Sequence, residues 1–311
     1  MRLAAGLAAL VLAACAAAEA PAQPETAPPV AAPAPEQTHP RHEHEPDPRP
    51  LSIACAGALT QGGVALCRVT PGAEVRLNDE VVGRGDENGW VVIGFNRESP
   101  ATVRVEVREG ANSVSNDLTI APREFDIQRI DGLPPQTVTP TDPEVLARIR
   151  REAALKSEAF ASEARMAGFL EGFIMPVEGG VVTGRWGNQR ILNGVPSTPH
   201  FGYDIAVPEG TPIRAPASGV VTLAEDDMHY EGGLVFIDHG QGLITMYLHM
   251  SRVDVQVGDV VSQGQVLGAV GARGRATGPH LCWRMRWQGR QLDPSIAVDG
   301  LAQARAQLAS N

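Results

Sequence analysis

Apolar positions along this chain gather in short runs set between polar, turn-forming residues, a pattern that predicts strands rather than helices. Between 51 and 122 the runs Val64–Val69, Ala73–Leu77, Trp90–Phe95 and Thr102–Val107 are separated by turn-forming Asn78-Asp79 and Asp86–Gly89. Strands at such regular spacing predict a small β-sandwich. The pattern returns after Phe173 in Gly219–Ala224, Leu234–Asp238, Leu243–Leu248 and Val266–Val270, with His239-Gly240-Gln241-Gly242 as a hairpin turn. One segment breaks it. Residues 142–170 are rich in Ala, Leu, Arg and Glu, with Asp142 placed to cap a helix and Pro143 at its first position. The expected fold is mainly β: a sandwich over 51–122, a linker with one strand and a helix over 123–172, an antiparallel sheet domain over 173–298 and a tail over 299–311.

The N-terminus reads as an address. Arg2 precedes an apolar run over 3–14 that is too short to span a bilayer and suits a signal peptide. Its end, Leu12-Ala13-Ala14-Cys15, resembles a bacterial lipobox, so residues 1–15 are expected to be a lipoprotein signal with Cys15 acylated. The chain would then be periplasmic and held on a membrane, the outer one by analogy with Ala16 rather than Asp after the cysteine. Ten prolines and nine alanines in 16–50 cannot build a core and predict an extended tether. It contains His39, His42 and His44.

Charge and cysteine content narrow the partners. The formal net charge is −10, and no basic patch stands out, which argues against nucleic acid. Outside the cytoplasm Cys55 and Cys67 can close a disulfide. Lys156 is the single lysine. The glycine-rich meander over 257–268 therefore lacks the lysine that a biotinyl or lipoyl carrier needs at its hairpin tip.

Five of the eight histidines fall between 200 and 280. His200-Phe201-Gly202-Tyr203-Asp204 is H-x-x-x-D, and His280-Leu281-Cys282 is H-x-C. Side chains at i and i+2 of a strand share a face, so His280 and Cys282 can reach one centre. His, Asp and Cys are all metal ligands. The helical H-E-x-x-H motif is absent, so a metal site here would be built on strands.

Together these motifs resemble the lysostaphin-type (LytM-like) zinc metallopeptidases, which cut peptide bonds in peptidoglycan. The resemblance runs from about 174 to 295 through Gly184-Arg185-Trp186-Gly187, Arg190, Asn193-Gly194, His200 to Asp204, Gly210-Thr211-Pro212, Asp238-His239-Gly240, Tyr247-Leu248-His249, Gly278-Pro279-His280 and Asp293-Pro294. It implies Zn²⁺ held by His200, Asp204 and a third ligand at Cys282, where the family has histidine. His249 and His280 would act on the water and the oxyanion. Asn193 matches a position that fills the fourth coordination site in latent members. His239 is expected to hold its hairpin turn, and His229, without a motif partner, to lie at the surface.

Cys282 admits four readings: a zinc ligand, a remnant in a degenerate site, a nucleophile paired with His249 or His280, or a packing residue. Thiolate in place of imidazole takes the formal charge of the centre from about +1 to about zero. With Cys15 acylated and Cys55 paired to Cys67, Cys282 is left over for a metal. The resemblance thus implies a zinc endopeptidase acting on peptidoglycan peptides. The alternative is a degenerate domain that binds peptidoglycan or activates a cell-wall amidase or divisome partner.

Overall fold

The computed structural model describes residues 50–310. The expected signal segment with Cys15 and the expected tether with His39, His42 and His44 lie outside the described residues. The N-terminal strands are β1 (Ile53–Gly57), β2 (Val64–Val69), β3 (Glu74–Leu77), β4 (Glu80–Arg84), β5 (Trp90–Gly94), β6 (Thr102–Glu109) and β7 (Asn112–Thr119). They form two sheets, β1-β2-β5 and β4-β3-β6-β7, whose buried residues belong to one apolar core. Cys55 and Cys67 are directly opposed in the β1–β2 ladder and are disulfide-bonded.

The linker carries β8 (Ile127–Ile130), a single helical turn α1 (Pro135–Val138) and the helix α2 (Pro143–Phe160). Asp142 caps α2, accepting from the backbone N–H groups of Glu144 and Val145. The helix ends at Phe160 and not at 170 as its composition suggested. Tertiary bonds claim the backbone beyond it: Ala164 N–H donates to buried Asp238 and Phe169 N–H to the His239 carbonyl.

The remaining strands are β9 (Val181–Gly184), β10 (Gln189–Leu192), β11 (Val195–Pro196), β12 (Gly202–Ala206), β13 (Pro212–Arg214), β14 (Gly219–Met228), β15 (Gly232–Asp238), β16 (Leu243–Val253), β17 (Val260–Val261), β18 (Val266–Val270), β19 (Leu281–Trp287) and β20 (Arg290–Leu292). The large sheet runs β17-β14-β15-β16-β19-β12-β9, with β13, β18 and β20 attached to it. Every pairing in this sheet is antiparallel. A small side sheet pairs β8 of the linker in parallel with β10.

The C-terminal residues are not a tail. They form α3 (Pro294–Ala309), capped by Asp293, with Leu301, Ala304 and Leu308 buried. Spacings of three and four put these residues on one helical stripe, which packs on β1 and β2. The sandwich, the large sheet and α3 thereby share one core within a single unit, Pro46–Asn311. No described helix is long and apolar enough to cross a membrane.

Alternation gives the large sheet two different faces. Val235, Ile237, Leu243, Tyr247, Leu281, Trp283, Met285 and Trp287 enter the shared core. Leu234, Phe236, Ile244, Met246, Leu248 and Cys282 lie on the other side, where Ala159 and Phe160 of α2 cover part of them.

Candidate metal centre

Asp204 on β12 stands directly across the ladder from Cys282 on β19, so the two side chains share the face that α2 partly covers. His200 reaches them from the loop before β12. Gly202 makes room: a Cβ there would lie 2.5 Å from Cys282 Sγ and 2.9 Å from His200 Cε1. The donor atoms of His200, Asp204 and Cys282 lie within 4.8 Å of one another, and all three residues are buried.

Hydrogen bonding leaves the His200 nitrogens and Asp204 Oδ1 unspent. His200 Nε2 is 3.0 Å from Asp204 Oδ1, but the geometry is not that of a hydrogen bond, and neither atom has another partner. His200 Nδ1 is likewise buried without a partner. A buried polar atom left unpaired costs about 1–3 kcal/mol. A shared cation removes that cost, and imidazole, carboxylate and thiolate form a zinc-type set. The other carboxylate oxygen, Oδ2, accepts from Arg190 Nη2 at 2.7 Å, which orients Asp204 toward the shared point.

The electrostatics suit a metal and suit little else. Burial pulls His200 down to about 4, leaving it neutral at pH 7. Burial alone would raise Asp204, but His200 and Arg190 hold its carboxyl well below the usual carboxylate range. Burial, then Asp204, pushes the metal-free Cys282 thiol up to about 12. A free thiol of that kind is a poor nucleophile, whereas coordination to a cation deprotonates it.

His249 arrives by a backbone irregularity. In a regular strand it would follow Tyr247 into the core, one residue out of phase with Leu248 and Cys282. Instead its φ is +67°, its N–H bonds to the Glu231 carbonyl, and Met250 takes the core-facing place. A left-handed histidine within a register shift re-aims the ring at the site. The rings of His249 and His280 are 4.7 Å apart, and both line the groove that contains Asp204. Each donates from Nδ1 to a backbone carbonyl, His249 to Arg273 and His280 to Gly278, at 2.8 Å in both cases. In the neutral rings Nε2 is then the free acceptor. Burial first and His280 second pull His249 down to about 3.

Asp204 joins the two clusters: it shares the donor set with buried His200 and Cys282, and it lines the groove with His249 and His280. Asn193 does not join them: its amide donates to the Leu133 carbonyl and accepts from the Leu133 N–H, fastening the linker beside the groove. His239 lies in its hairpin, bonded to the Ser218 carbonyl and to Thr245 Oγ1. His229 is half-buried against Tyr230 rather than at the surface. Sequence reasoning assigned no role to Arg190 or Arg284. The spacing of Arg284, two residues after Cys282, was the available signal.

Residues 198–294 match the family model of Peptidase family M23. Over 95 residues the chain is 42% identical to the peptidoglycan DD-endopeptidase ShyA of Vibrio cholerae, a match covering 30% of this chain and 22% of that protein. Over 100 residues it is 43% identical to the DD-carboxypeptidase/endopeptidase Mpg of Neisseria meningitidis, covering 32% and 23%. The chain thus matches less than a quarter of the length of these curated relatives. A solved structure of a peptidase M23 protein from Pseudomonas aeruginosa is similar at 31% identity and a TM-score of 0.57, covering 79% of this chain and 96% of that one.

Proposed function

This chain belongs to peptidase family M23, and on that premise we propose that it is a zinc-dependent endopeptidase that hydrolyses peptide cross-links of bacterial peptidoglycan. The observation that carries the reading is the clustering of three metal donors, His200, Asp204 and Cys282, with Asp204 also lining the groove of His249 and His280.

His200, Asp204 and Cys282 would hold Zn²⁺, which when bound polarises the scissile carbonyl and acidifies water. The chain's own residues supply the rest. The carbonyls of Arg273 and Gly278 fix the ring orientations. Neutral at pH 7, His249 accepts a proton at Nε2 from the attacking water and returns it to the departing amine. His280, half-buried at its side, takes the role at the developing oxyanion. Relatives named as DD-endopeptidases support a DD peptide bond of peptidoglycan as the bond cut. The complete donor set supports hydrolysis over a degenerate wall-binding or amidase-activating module.

The test is digestion of purified sacculi by metal-loaded protein. Cross-linked fragments should give way to monomers, with one zinc per chain, and Cys282→Ala should lose the zinc. His249→Ala should keep the zinc and lose about 10²–10⁴-fold in rate. Absence of any new fragment across a range of pH overturns the reading. We also propose that acylated Cys15 holds the protein on the periplasmic side of the outer membrane. Cys15→Ser should then move it to the soluble fraction.

A further inference from the structure

Resting on the reading of Cys282 as a metal ligand, we infer that Arg284 is a positioning residue of the metal centre, holding the ligand sulfur and restoring the positive charge that a thiolate removes. One imidazole, one carboxylate and one thiolate around Zn²⁺ sum to about zero, against about +1 for two imidazoles and a carboxylate. A neutral centre polarises a carbonyl less. The missing charge stands two residues along the same strand.

Cys282 and Arg284 project from one face of β19. Arg284 Nε donates to Cys282 Sγ at 3.4 Å. No hydrogen bond joins Arg284 to the two neighbouring carboxylates, each of which has another cation. Asp204 is held by Arg190, and Glu231 Oε1 is held by Lys156 at 2.5 Å. Among the described residues, Cys282 Sγ is the side-chain acceptor that Arg284 uses. The guanidinium lines the cavity beneath α2, beside Phe160, Leu234 and Leu248. Packing does not account for it: Arg286, the next residue on this face, lies over the Phe160 ring at 4.0 Å. A donor aimed at a ligand atom orients that ligand and tunes the metal, the role that carboxylates play behind ligating histidines. Here the ligand is anionic, so the supporting group is a cation.

The experiment uses the whole chain loaded with cobalt(II) and reads two quantities: the near-ultraviolet sulfur-to-cobalt charge-transfer band, and the cobalt affinity against a competing chelator. Wild type should show the band. Arg284→Met, which keeps the stem, should shift the band and weaken cobalt binding about 10–100-fold. Arg284→Lys should recover part of both. In a Cys282→His background the band should vanish, and Arg284→Met should then change affinity by no more than about 2-fold. If Arg284→Met does not fold, by circular dichroism, Arg284→Gln takes its place in both backgrounds. Unchanged band and affinity on removing the guanidinium overturn the inference alone. A cobalt-loaded wild type with no sulfur band overturns the assignment of Cys282 as ligand, and this inference with it.

Discussion

Along β19, Leu281, Trp283, Met285 and Trp287 enter the core shared with the sandwich, whereas Cys282, Arg284 and Arg286 face the site and α2. The same strand thus serves two solvents, one residue out of phase. The core face is apolar and continuous across β15, β16 and β19, so it makes the backbone rigid. Around the site His200 and Asp204 keep three buried polar atoms without partners, against Trp283 Nε1 on the core face of β19, and each such atom is costly by itself. The first face can hold the second because alternate side chains leave the ladder hydrogen bonds untouched. Stability should therefore respond to changes on one face, and metal binding to changes on the other.

The largest effect should come from Trp283→Ala. This side chain is fully buried on the core face, and its removal should cost about 3–5 kcal/mol. Denaturant unfolding measures it; a loss under about 1 kcal/mol would mean that this face does not dominate stability. Acid should act next, through His239. Burial pulls His239 down to about 4 from its usual 6.5, so the unfolded chain takes up the proton first. Its contribution is full above about 6.5 and lost as pH falls toward about 4, a difference of roughly 3 kcal/mol. His239→Gln should remove that share of the slope in chemical denaturation at stepped pH, leaving the shares of His200 and His249.

Gly202→Ala probes the site face. The new Cβ would meet Cys282 Sγ at 2.5 Å. Overpacking of this kind should cost about 1–3 kcal/mol, and zinc content should fall well below one per chain. Retained stoichiometry would show that the donors can spread without losing the cation. The smallest effect should come from Lys156→Gln, which removes the ion pair to Glu231. About 1 kcal/mol should be lost, and proteolysis within α2 should rise while Trp283 fluorescence holds.

Much of this could be read along the chain. Short apolar runs between turn signals located the strands, Asp142-Pro143 marked the start of α2, and the ordered H-x-x-x-D, Tyr-Leu-His and H-x-C motifs brought forward the five candidate residues. The failures have a common cause. The length of α2 depends on bonds from Ala164 and Phe169 to the hairpin at 238–239. The final helix has its own capping pair, Asp293-Pro294, but its buried stripe is legible only against β1 and β2. Asn193 carries the family's residue type, yet here it binds the linker backbone at Leu133.

Residue types and their alternation by themselves determined which elements are strands and which chemistry is on offer: an imidazole, a carboxylate, a thiol and two further imidazoles. Only the tertiary structure decided that these converge. Asp204 and Cys282 meet through ladder register across strands 78 positions apart. His249 reaches them because a left-handed residue at a register shift turns it off the core face. Arg284 reaches the sulfur from two residues along the same face of β19. Local pattern sets which face a side chain takes within its own strand, but register, bulges and competition among charges depend on partners far along the chain.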